Sequence, residues 1–436
     1  MMVCRKGIHM KRFTFLLVFL GFVSCAFAQG VDRGSKRDSD SKDMDALRRW
    51  IQDKRLVTMK EIGGDLSLSG EVRTEFQATK EDKKGKAQRG RGLAMKPMYA
   101  WDVEFNLMLD YRAERSWAAI KLEFDNDMGQ VSGATNKIRL ERAYLGGRLI
   151  AGDTFTWDAE IGRRFLVTTF DSKIEFGAMY DGLLLRFSDV YPSVADCYAN
   201  LGGFIINDRT NHYGFVGEIG ALRIANIGLN AKYSLIDWTK PGGETLPGGT
   251  ALENKIMKLR YRFLVSQALV SYQFFPEWFY KKLIKFYAAG LINHLALSNP
   301  LAKLGVKGQK FGKQNVGWYA GVSLGTVKKM MDWAVDMNFQ WVQAQAVPSY
   351  DQNGIGRGNT AGSGLYATLN DGKGTPTTKK TATGNGNYYG FEINGLYAFT
   401  DNLTINPNVQ ASWRLKHDLG PNLIFKQAEV EFIYAF

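Results

Sequence analysis

Cysteine and proline are both scarce in this chain. Three Cys and ten Pro occur among 436 residues, whereas 27 Phe and 19 Tyr are present. So few cysteines cannot build a disulfide framework, and stability has to come from packing and backbone hydrogen bonds. Disordered chains are poor in aromatic residues, which is the opposite of this composition. These features exclude a disulfide scaffold and a largely disordered protein.

Long apolar runs are also missing, apart from one at the beginning. Phe13 to Phe22 reads FTFLLVFLGF, follows Lys11 and Arg12, and precedes the small-residue motif Ala26-Phe27-Ala28. This order predicts a secretory signal peptide that starts at Met10 and is cleaved after Ala28. Charged residues make up 23% of the chain, and they leave no room for several helical spans of about 20 apolar residues each. A polytopic helical membrane protein is excluded.

Export changes the charge and the choice of partners. The predicted cleavage removes four basic residues and no acid, which lowers the net charge from +13 to +9 and leaves Cys197 as the one cysteine. Export argues against nucleic acid as a partner, while anionic lipid headgroups and anionic solutes remain. A lipoprotein modified at Cys25 is the alternative, although Phe22 stands where such signals prefer Leu.

Residues 29–64 are polar and form the second predicted unit, after the signal peptide at 1–28. Within them, Leu47, Trp50 and Ile51 fall at helical spacing. We expect a solvated periplasmic leader with a short helix over 44–57. The alternative is a helix that anchors the protein in the periplasm.

From residue 65 onward the apolar residues recur with a period of two. In the clearest segment, Tyr99 to Tyr111, apolar side chains alternate with Asp102, Glu104, Asn106 and Asp110. Such runs exceed the usual strand of about 5 to 6 residues and approach the roughly 9 to 11 that cross a bilayer at a tilt. Each strand is therefore expected to separate lipid from water.

About 16 segments of this kind fill residues 65–436, and those between 165 and 210 are the least regular. Short and long links alternate between them, as in bacterial membrane barrels. The fold class predicted is all-β: a transmembrane antiparallel β-barrel of about 16 strands after a short periplasmic segment. The longest link, 346–387, is rich in Gly, Thr and Asn, which indicates a mobile surface loop.

The chain ends EVEFIYAF, which places Phe432, Tyr434 and Phe436 on one face of a strand. This ending resembles the signal read by the outer-membrane assembly machinery. With the alternating strands and the EIGRR stretch at 160–164, the mature chain resembles a Gram-negative porin. The LSLSGEVRTEF stretch at 66–76 is similar to porins of Chlamydia-related bacteria. The low cysteine content departs from the cysteine-rich major outer-membrane proteins of pathogenic chlamydiae.

A ring of about 16 strands is too wide for side chains to fill and leaves an aqueous channel. We therefore expect an outer-membrane porin for passive diffusion of small hydrophilic solutes and ions, with no enzymatic activity, cofactor or metal. The expected partners are outer-membrane lipids, the assembly machinery and those solutes, and a homotrimer is left open. The predicted pore-lining residues are Glu71, Arg73, Asp102, Glu104, Lys121, Arg139, Glu141, Glu160, Arg163 and Arg414.

The link at 164–182 would be the third outer loop. In general porins this loop folds inward and narrows the pore, so the resemblance implies a constriction. Its acids Asp171, Glu175 and Asp181 would then face lumen cations, for which Arg73, Arg139 and Arg163 are the candidates. The alternative is an outward loop with ordinary surface acids. The positive charge of the mature chain favours a mild anion preference.

Other functions find less support in the sequence. His212, His294 and His417 are widely separated and lie near predicted strand ends, where solvated imidazoles are expected. No Ser and His pair on neighbouring strands, as an outer-membrane lipase would need, is evident. The cluster at 125–127 could hold Ca²⁺ but lacks the glycine and terminal Glu of an EF-hand. The remaining alternatives use the same barrel as a substrate-specific channel or a surface adhesin.

Overall fold

The computed structural model describes residues 57–61, 64–83, 86–87, 98–129, 137–242, 251, 254, 260–298, 312–355, 386–416 and 424–436. Within these ranges, no helix is long and apolar enough to cross a membrane. The predicted signal peptide, the helical pattern up to residue 56 and His417 lie outside the described residues.

The described part of the chain contains eighteen strands and a few 3-10 turns. The strands are β1 (Val57–Glu61), β2 (Gly64–Lys83), β3 (Lys86–Ala87), β4 (Met98–Ala113), β5 (Ser116–Asp127), β6 (Lys137–Ala151), β7 (Phe155–Phe165), β8 (Met179–Tyr191), β9 (Ala195–Asn207), β10 (His212–Ile224), β11 (Leu229–Asp237), β12 (Leu264–Phe274), β13 (Ile284–Asn293), β14 (Val316–Gly325), β15 (Trp333–Val342), β16 (Tyr388–Ala398), β17 (Leu403–Arg414) and β18 (Ile424–Ala435).

The sheet closes on itself. From β4 to β18 each strand pairs antiparallel with the next, and β4 also pairs with β2. The last strand, β18, returns to β2 with Ala435 opposite Glu71 and Ile424 opposite Asp82. β2 and β4–β18 therefore form a closed ring of sixteen strands, as the sequence predicted, and no strand of the ring has an unpaired edge.

Two short strands extend this ring. β3 forms a small hairpin with the end of β2. β1 pairs with Gly64 to Leu68 of β2, and β18 pairs with β2 from Glu71 onward. Residues 57–61, which the sequence placed in a polar leader, are thus a strand that continues the ladder along β2.

The connections differ at the two ends of the barrel. At one end, here the turn end, links are as short as residues 114–115 and at most as long as 275–283. The other end, here the loop end, carries longer links, although 208–211 is short. Two loop-end links matter below: loop 3, residues 166–178, and loop 7, residues 343–387, of which 343–355 and 386–387 are described.

The two faces of the wall differ in polarity, because side chains alternate along each strand. Large apolar side chains such as Leu145, Phe215 and Val270 are exposed on the outer face, while Glu71, Asn106 and Glu160 are buried on the inner face. The alternating pattern in the sequence therefore became an apolar exterior around a polar interior.

Aromatic side chains collect on the outer face at both ends. The loop end carries Tyr99, Trp101, Tyr213, Phe215, Trp318, Tyr389 and Phe391, and the turn end carries Trp157, Tyr272, Phe286, Phe399, Tyr434 and Phe436. Two such belts are typical of barrels that cross a bilayer, since amphipathic rings favour the headgroup level.

The main apolar core lies inside the barrel, on one side. Loop 3 and the start of loop 7 pack against the inner face of β9 to β16 and of the loop-end half of β8. The buried residues of this cluster include Leu166, Phe170, Ile174, Phe176, Phe204, Ile236, Val265, Leu291, Tyr319, Val342, Val347, Ile355 and Tyr388. The expectation of a mobile surface loop is therefore wrong for 346–355, because Ala346, Val347 and Ile355 supply part of this core; residues 356–385 lie outside the described ranges.

Candidate functional site

Loop 3 is held inside the barrel by two ion pairs that point to different strands. Asp171 Oδ2 lies 3.1 Å from Lys232 Nζ on β11, and Lys173 Nζ lies 2.7 Å from Asp336 Oδ1 on β15. The side-chain amide of Gln267 on β12 also donates to the Asp171 carbonyl oxygen at 2.7 Å. The loop is thereby fixed to the inner wall across several neighbouring strands.

Asp336, the carboxylate on β15 that accepts from Lys173, is itself held by hydrogen bonds. Tyr287 OH donates to both carboxylate oxygens of Asp336 at 2.9 Å, and Ser323 Oγ donates to Oδ2 at 2.7 Å. Asp336 is almost fully buried. A buried carboxylate needs such partners, because an unpaired one costs several kcal/mol. The Lys173 ion pair is therefore a prepared attachment point for loop 3.

Loop 3 is also bound to loop 7. The Asp351 carbonyl oxygen accepts from Gly177 N–H at 2.9 Å, its Oδ1 accepts from Ala178 N–H at 3.1 Å, and Asn353 N–H donates to the Ile174 carbonyl oxygen at 2.8 Å. A Cβ at Gly177 would lie 2.3 Å from the Gln352 carbonyl oxygen, so the close approach of the loops requires glycine there. Loop 3 and residues 343–355 of loop 7 are therefore joined inside the barrel.

This contact buries two acids, Glu175 and Asp351. Among the described residues, neither carboxylate oxygen of Glu175 has a hydrogen-bond partner, and Oδ2 of Asp351 has none either. Burial, followed by the charge of Asp351, holds the pKa of Glu175 well above its ordinary value. Burial raises the pKa of Asp351 to about 8, against the opposing effect of hydrogen bonds from the backbone of Ala178 and Phe176.

The opposite side of the wall, at β2, β4 and β18, carries a charged network instead of an apolar surface. The guanidinium of Arg73 lies 2.6 Å from Glu71, 4.0 Å from Glu104 and 3.9 Å from Glu431. Asn106 Nδ2 also donates to Glu71 at 2.8 Å. One buried cation is thus shared by carboxylates from three adjacent strands.

A second network follows on β5 to β8. Glu160 accepts from Trp117 Nε1 at 2.9 Å and lies 2.6 Å from Arg164 and 3.3 Å from Arg186. The Arg164 guanidinium stacks 3.7 Å from the ring centre of Tyr144. Cation and ring contacts of this kind hold a guanidinium in one orientation.

Most of the predicted pore-lining residues lie on the inner face or contact residues that do. They are Glu71, Arg73, Asp102, Glu104, Lys121, Arg139, Glu141, Glu160 and Arg414; in this set Lys121 pairs with Glu141, and Arg139 lies 3.4 Å from Glu123. Arg414 lies on the same face of β17 as the buried Ser412. Nine of the ten residues selected from the sequence therefore lie on this inner face or against it.

Arg163 and the three predicted loop acids lie elsewhere than expected. Arg163 is adjacent to the inward Arg164 and shares the outer face with Ile161. There it pairs at 2.7 Å with Asp181, which belongs to β8 and not to the loop. Asp171 and Glu175 do lie in loop 3, but they face Lys232 and Asp351 instead of Arg73 or Arg139.

The predicted assembly residues share one outer surface at the turn end. Phe432, Tyr434 and Phe436 are all exposed there. The ring of Phe436 stacks on Phe105 with ring centres 6.3 Å apart. The ending is therefore presented on the apolar exterior.

His212 differs from the expectation of a solvated ring, whereas His294 is exposed as expected. His212 is fully buried, with Nε2 3.0 Å from the Trp238 carbonyl oxygen. His294, in the link after β13, has its Nε2 2.7 Å from Ser266 Oγ on β12, so a Ser and His pair does exist. An activated serine needs a histidine base that is itself oriented by a third group. Among the side chains that the structure describes, none hydrogen-bonds Nδ1 of His294 to supply that orientation.

Three inner carboxylates, those of Glu75, Glu429 and Glu431, lie within 4.8 Å of one another. Gln77 Nε2 donates to Glu429 at 3.0 Å, and Arg73 lies beside Glu431. Amide and guanidinium groups therefore already offset part of the charge of this cluster, which belongs to the wall network.

No family model and no curated protein matches the sequence. Solved structures do resemble the chain in shape. A high-pH structure of OprB from Pseudomonas putida has 12% identity and a TM-score of 0.48, covering 92% of this chain and 100% of its own. OmpF of Salmonella typhi in complex with daunomycin has 11% identity and a TM-score of 0.45, with 87% and 100% covered. A triple mutant of the Rhodopseudomonas blastica porin has 10% identity and a TM-score of 0.40, with 85% and 100% covered.

Proposed function

We propose that this chain forms a water-filled channel through which small hydrophilic solutes and ions diffuse across a Gram-negative outer membrane. One observation carries the proposal: a closed ring of sixteen strands has an apolar outer face and a charged inner face. A soluble barrel would expose polar residues outside and bury apolar ones inside, which is the reverse arrangement.

The width of the ring supports a channel over a plugged barrel. Rings of about eight strands are filled by their own side chains, whereas those of about 16 to 18 leave an aqueous path. Loop 3 and residues 343–355 of loop 7 occupy the side of the interior next to β9–β16. The path for solutes is therefore proposed to run along the opposite wall, where Arg139 and Arg186 keep 59% and 29% of their side chains exposed.

The inner wall offers charges of both signs to a passing solute. Arg73, Arg164 and Arg186 lie among Glu71, Glu104 and Glu160. A hydrated polar solute can replace its water contacts by contacts with these groups. An apolar solute cannot make such contacts, so nothing compensates the free energy of displacing water from the charged wall. Loop 3 is proposed to set the width from the far side, and the named wall residues to set ion preference.

The location and partners follow from the same features. The predicted signal peptide supports export. The aromatic belts support outer-membrane lipid as the surrounding medium, and the surface formed by Phe432, Tyr434 and Phe436 supports recognition by the assembly machinery. The resemblance to porins of Chlamydia-related bacteria, the homotrimer and the mild anion preference stay predictions.

Liposome swelling with neutral sugars of graded size tests the proposal and separates it from the alternatives. A general channel gives rates that fall smoothly with solute size. One solute that saturates would indicate a substrate-specific channel. Absence of swelling, with protein shown to be folded by a heat-modifiable gel shift, would contradict the proposal and favour an adhesin built on the barrel.

A further inference from the structure

Glu175 and Asp351 are buried at a contact between loop 3 and residues 343–355 of loop 7. The hydrogen bonds from Gly177, Ala178 and Asn353 described above surround them, and all three join one loop to the other. Glu175 and Asp351 are 1% and 0% exposed. Any change in their charge therefore acts directly on the contact that holds the loops together.

Among the residues that the structure describes, no cation is placed to offset two negative charges there. The nearest loop cation along the chain, Lys173, is paired with Asp336, and Asp171 of the same loop is paired with Lys232. Within the described ranges, the charged group that acts on Glu175 is Asp351, which has the same sign. Two carboxylates buried at one contact cannot both ionise without strong electrostatic repulsion and a large desolvation cost.

The other titratable groups around the two loops come from the surrounding strands and from loop 7. They are Tyr180 on β8, His212 and Glu218 on β10, Lys232 on β11, Tyr287 on β13, Tyr319 on β14, Asp336 on β15, Tyr388 on β16, Tyr350 in loop 7, and Tyr261 in the link before β12. The His212 ring contacts that of Tyr261, which contacts that of Tyr350 in loop 7. Glu218 faces Lys232 and is hydrogen-bonded by Tyr198 OH at 2.7 Å.

We propose that Glu175 and Asp351 form a proton-dependent clasp: loops 3 and 7 stay bound to each other while these acids are neutral, and separate when they ionise. For the channel proposed above, on which this inference rests, release of the loops would widen the path. The clasp thus couples the bore of the barrel to the pH outside the cell.

The direction in which pH changes the stability of the clasp follows from the direction of the two pKa shifts. Both acids have a raised pKa in the closed arrangement, so the closed state binds more protons than the released state. The clasp is strongest below the ordinary carboxyl range and weakens as the pH rises towards about 8, the pKa of Asp351. Above that pH the contribution of Asp351 to its stability no longer changes.

Hydrogen exchange with mass spectrometry on the refolded protein in detergent tests this inference directly. The reporters are the amides of Gly177, Ala178 and Asn353, with rates corrected for intrinsic exchange at each pH. We expect their protection to fall by about tenfold per pH unit for each proton released between about pH 5 and 8. In the double variant Glu175→Gln with Asp351→Asn, protection should stay high and flat.

The control is Glu277→Gln, which removes an acid that is 89% exposed in a turn-end link. It should keep the wild-type profile. A flat profile in the wild-type protein, or an unchanged slope in the double variant, would overturn the clasp. Protection that responds to EDTA and Ca²⁺ but not to pH would also overturn it, because the acids would then hold a cation.

The same samples separate this inference from the channel itself. In planar bilayers, wild-type conductance should rise between about pH 5 and 8 and that of the double variant should not. Protein that never conducts but shows the pH-dependent exchange would contradict the channel and support the clasp. Protein that conducts at a constant level, with flat exchange, would support the channel and contradict the clasp.

Discussion

Gly70 and Phe436 exchange two backbone hydrogen bonds of 3.0 Å at the seam where the last strand meets the first. The Phe436 ring covers the glycine so closely that a Cβ at Gly70 would lie 2.5 Å from its Cζ. The same ring stacks on Phe105 of β4. The final residue therefore completes the closure of the ring and covers the position that has no side chain.

Gly70→Ala is expected to destabilise the barrel by about 1 to 3 kcal/mol, because the new methyl group displaces the Phe436 ring. Urea unfolding followed by the gel shift measures this. Gly203→Ala is the matched control, since a Cβ there meets nothing closer than 3.6 Å. In a Phe436→Ala background the cost of Gly70→Ala should largely disappear. Equal costs in both backgrounds would show that the ring is not what the methyl group displaces.

Lys173→Met should release loop 3 from β15, since it leaves the buried Asp336 without its cation. Loss of one partner of a buried pair costs about 3 to 5 kcal/mol. We expect a larger single-channel conductance and faster swelling with large sugars. Lys281→Met, at a cation that is 73% exposed, is the control and should leave both unchanged. Wild-type conductance in the Lys173 variant would argue against loop 3 as the narrowing element.

Arg73→Gln should move ion preference towards cations. It removes the one guanidinium shared by Glu71, Glu104 and Glu431, and leaves their negative charge in the proposed path. The reversal potential in a roughly tenfold KCl gradient measures the preference. Arg73→Lys keeps the charge and should stay close to the wild-type value. An unchanged potential in the Gln variant would place the ion path away from this network.

Asp332, in the turn-end link before β15, should make the free energy of unfolding depend on pH in the acidic range. Although burial acts to raise it, hydrogen bonds from Lys328 and Lys329 N–H and from the Lys282 ammonium together lower the pKa of Asp332. The contribution of this group is present above the ordinary Asp range, near 3.8, and is lost as the pH falls through the lowered pKa. Asp332→Ala should cost about 1 to 3 kcal/mol at neutral pH, and the difference from wild type should shrink towards about pH 2. Urea midpoints at the two pH values check this, and a constant difference would contradict it.

The strands were predictable because alternation is a local property of the sequence. All sixteen ring strands were found, and the weakest predictions were β8 and β9. The run Leu183-Leu184-Leu185 breaks the alternation in β8, because Leu184 faces inward into the core around loop 3. An apolar patch inside the barrel hides the period of two at that point.

The contacts of loop 3 could not be predicted in the same way. Asp171 and Lys232 are 61 positions apart, and Lys173 and Asp336 are 163 apart, so no local spacing links them. Lys232, Asp336 and Asp351 were missed for this reason. The misplacement of Arg163 was avoidable, because neighbouring residues on a strand face opposite sides and Arg164 has the parity of Glu160.

The central claim is that the interior of the ring is a continuous path for water, and single-channel recording in planar bilayers tests it most directly. Folded, purified protein should insert in steps whose conductance rises in proportion to the KCl concentration. A bilayer that stays electrically silent with protein shown to be folded by its gel shift would contradict the account.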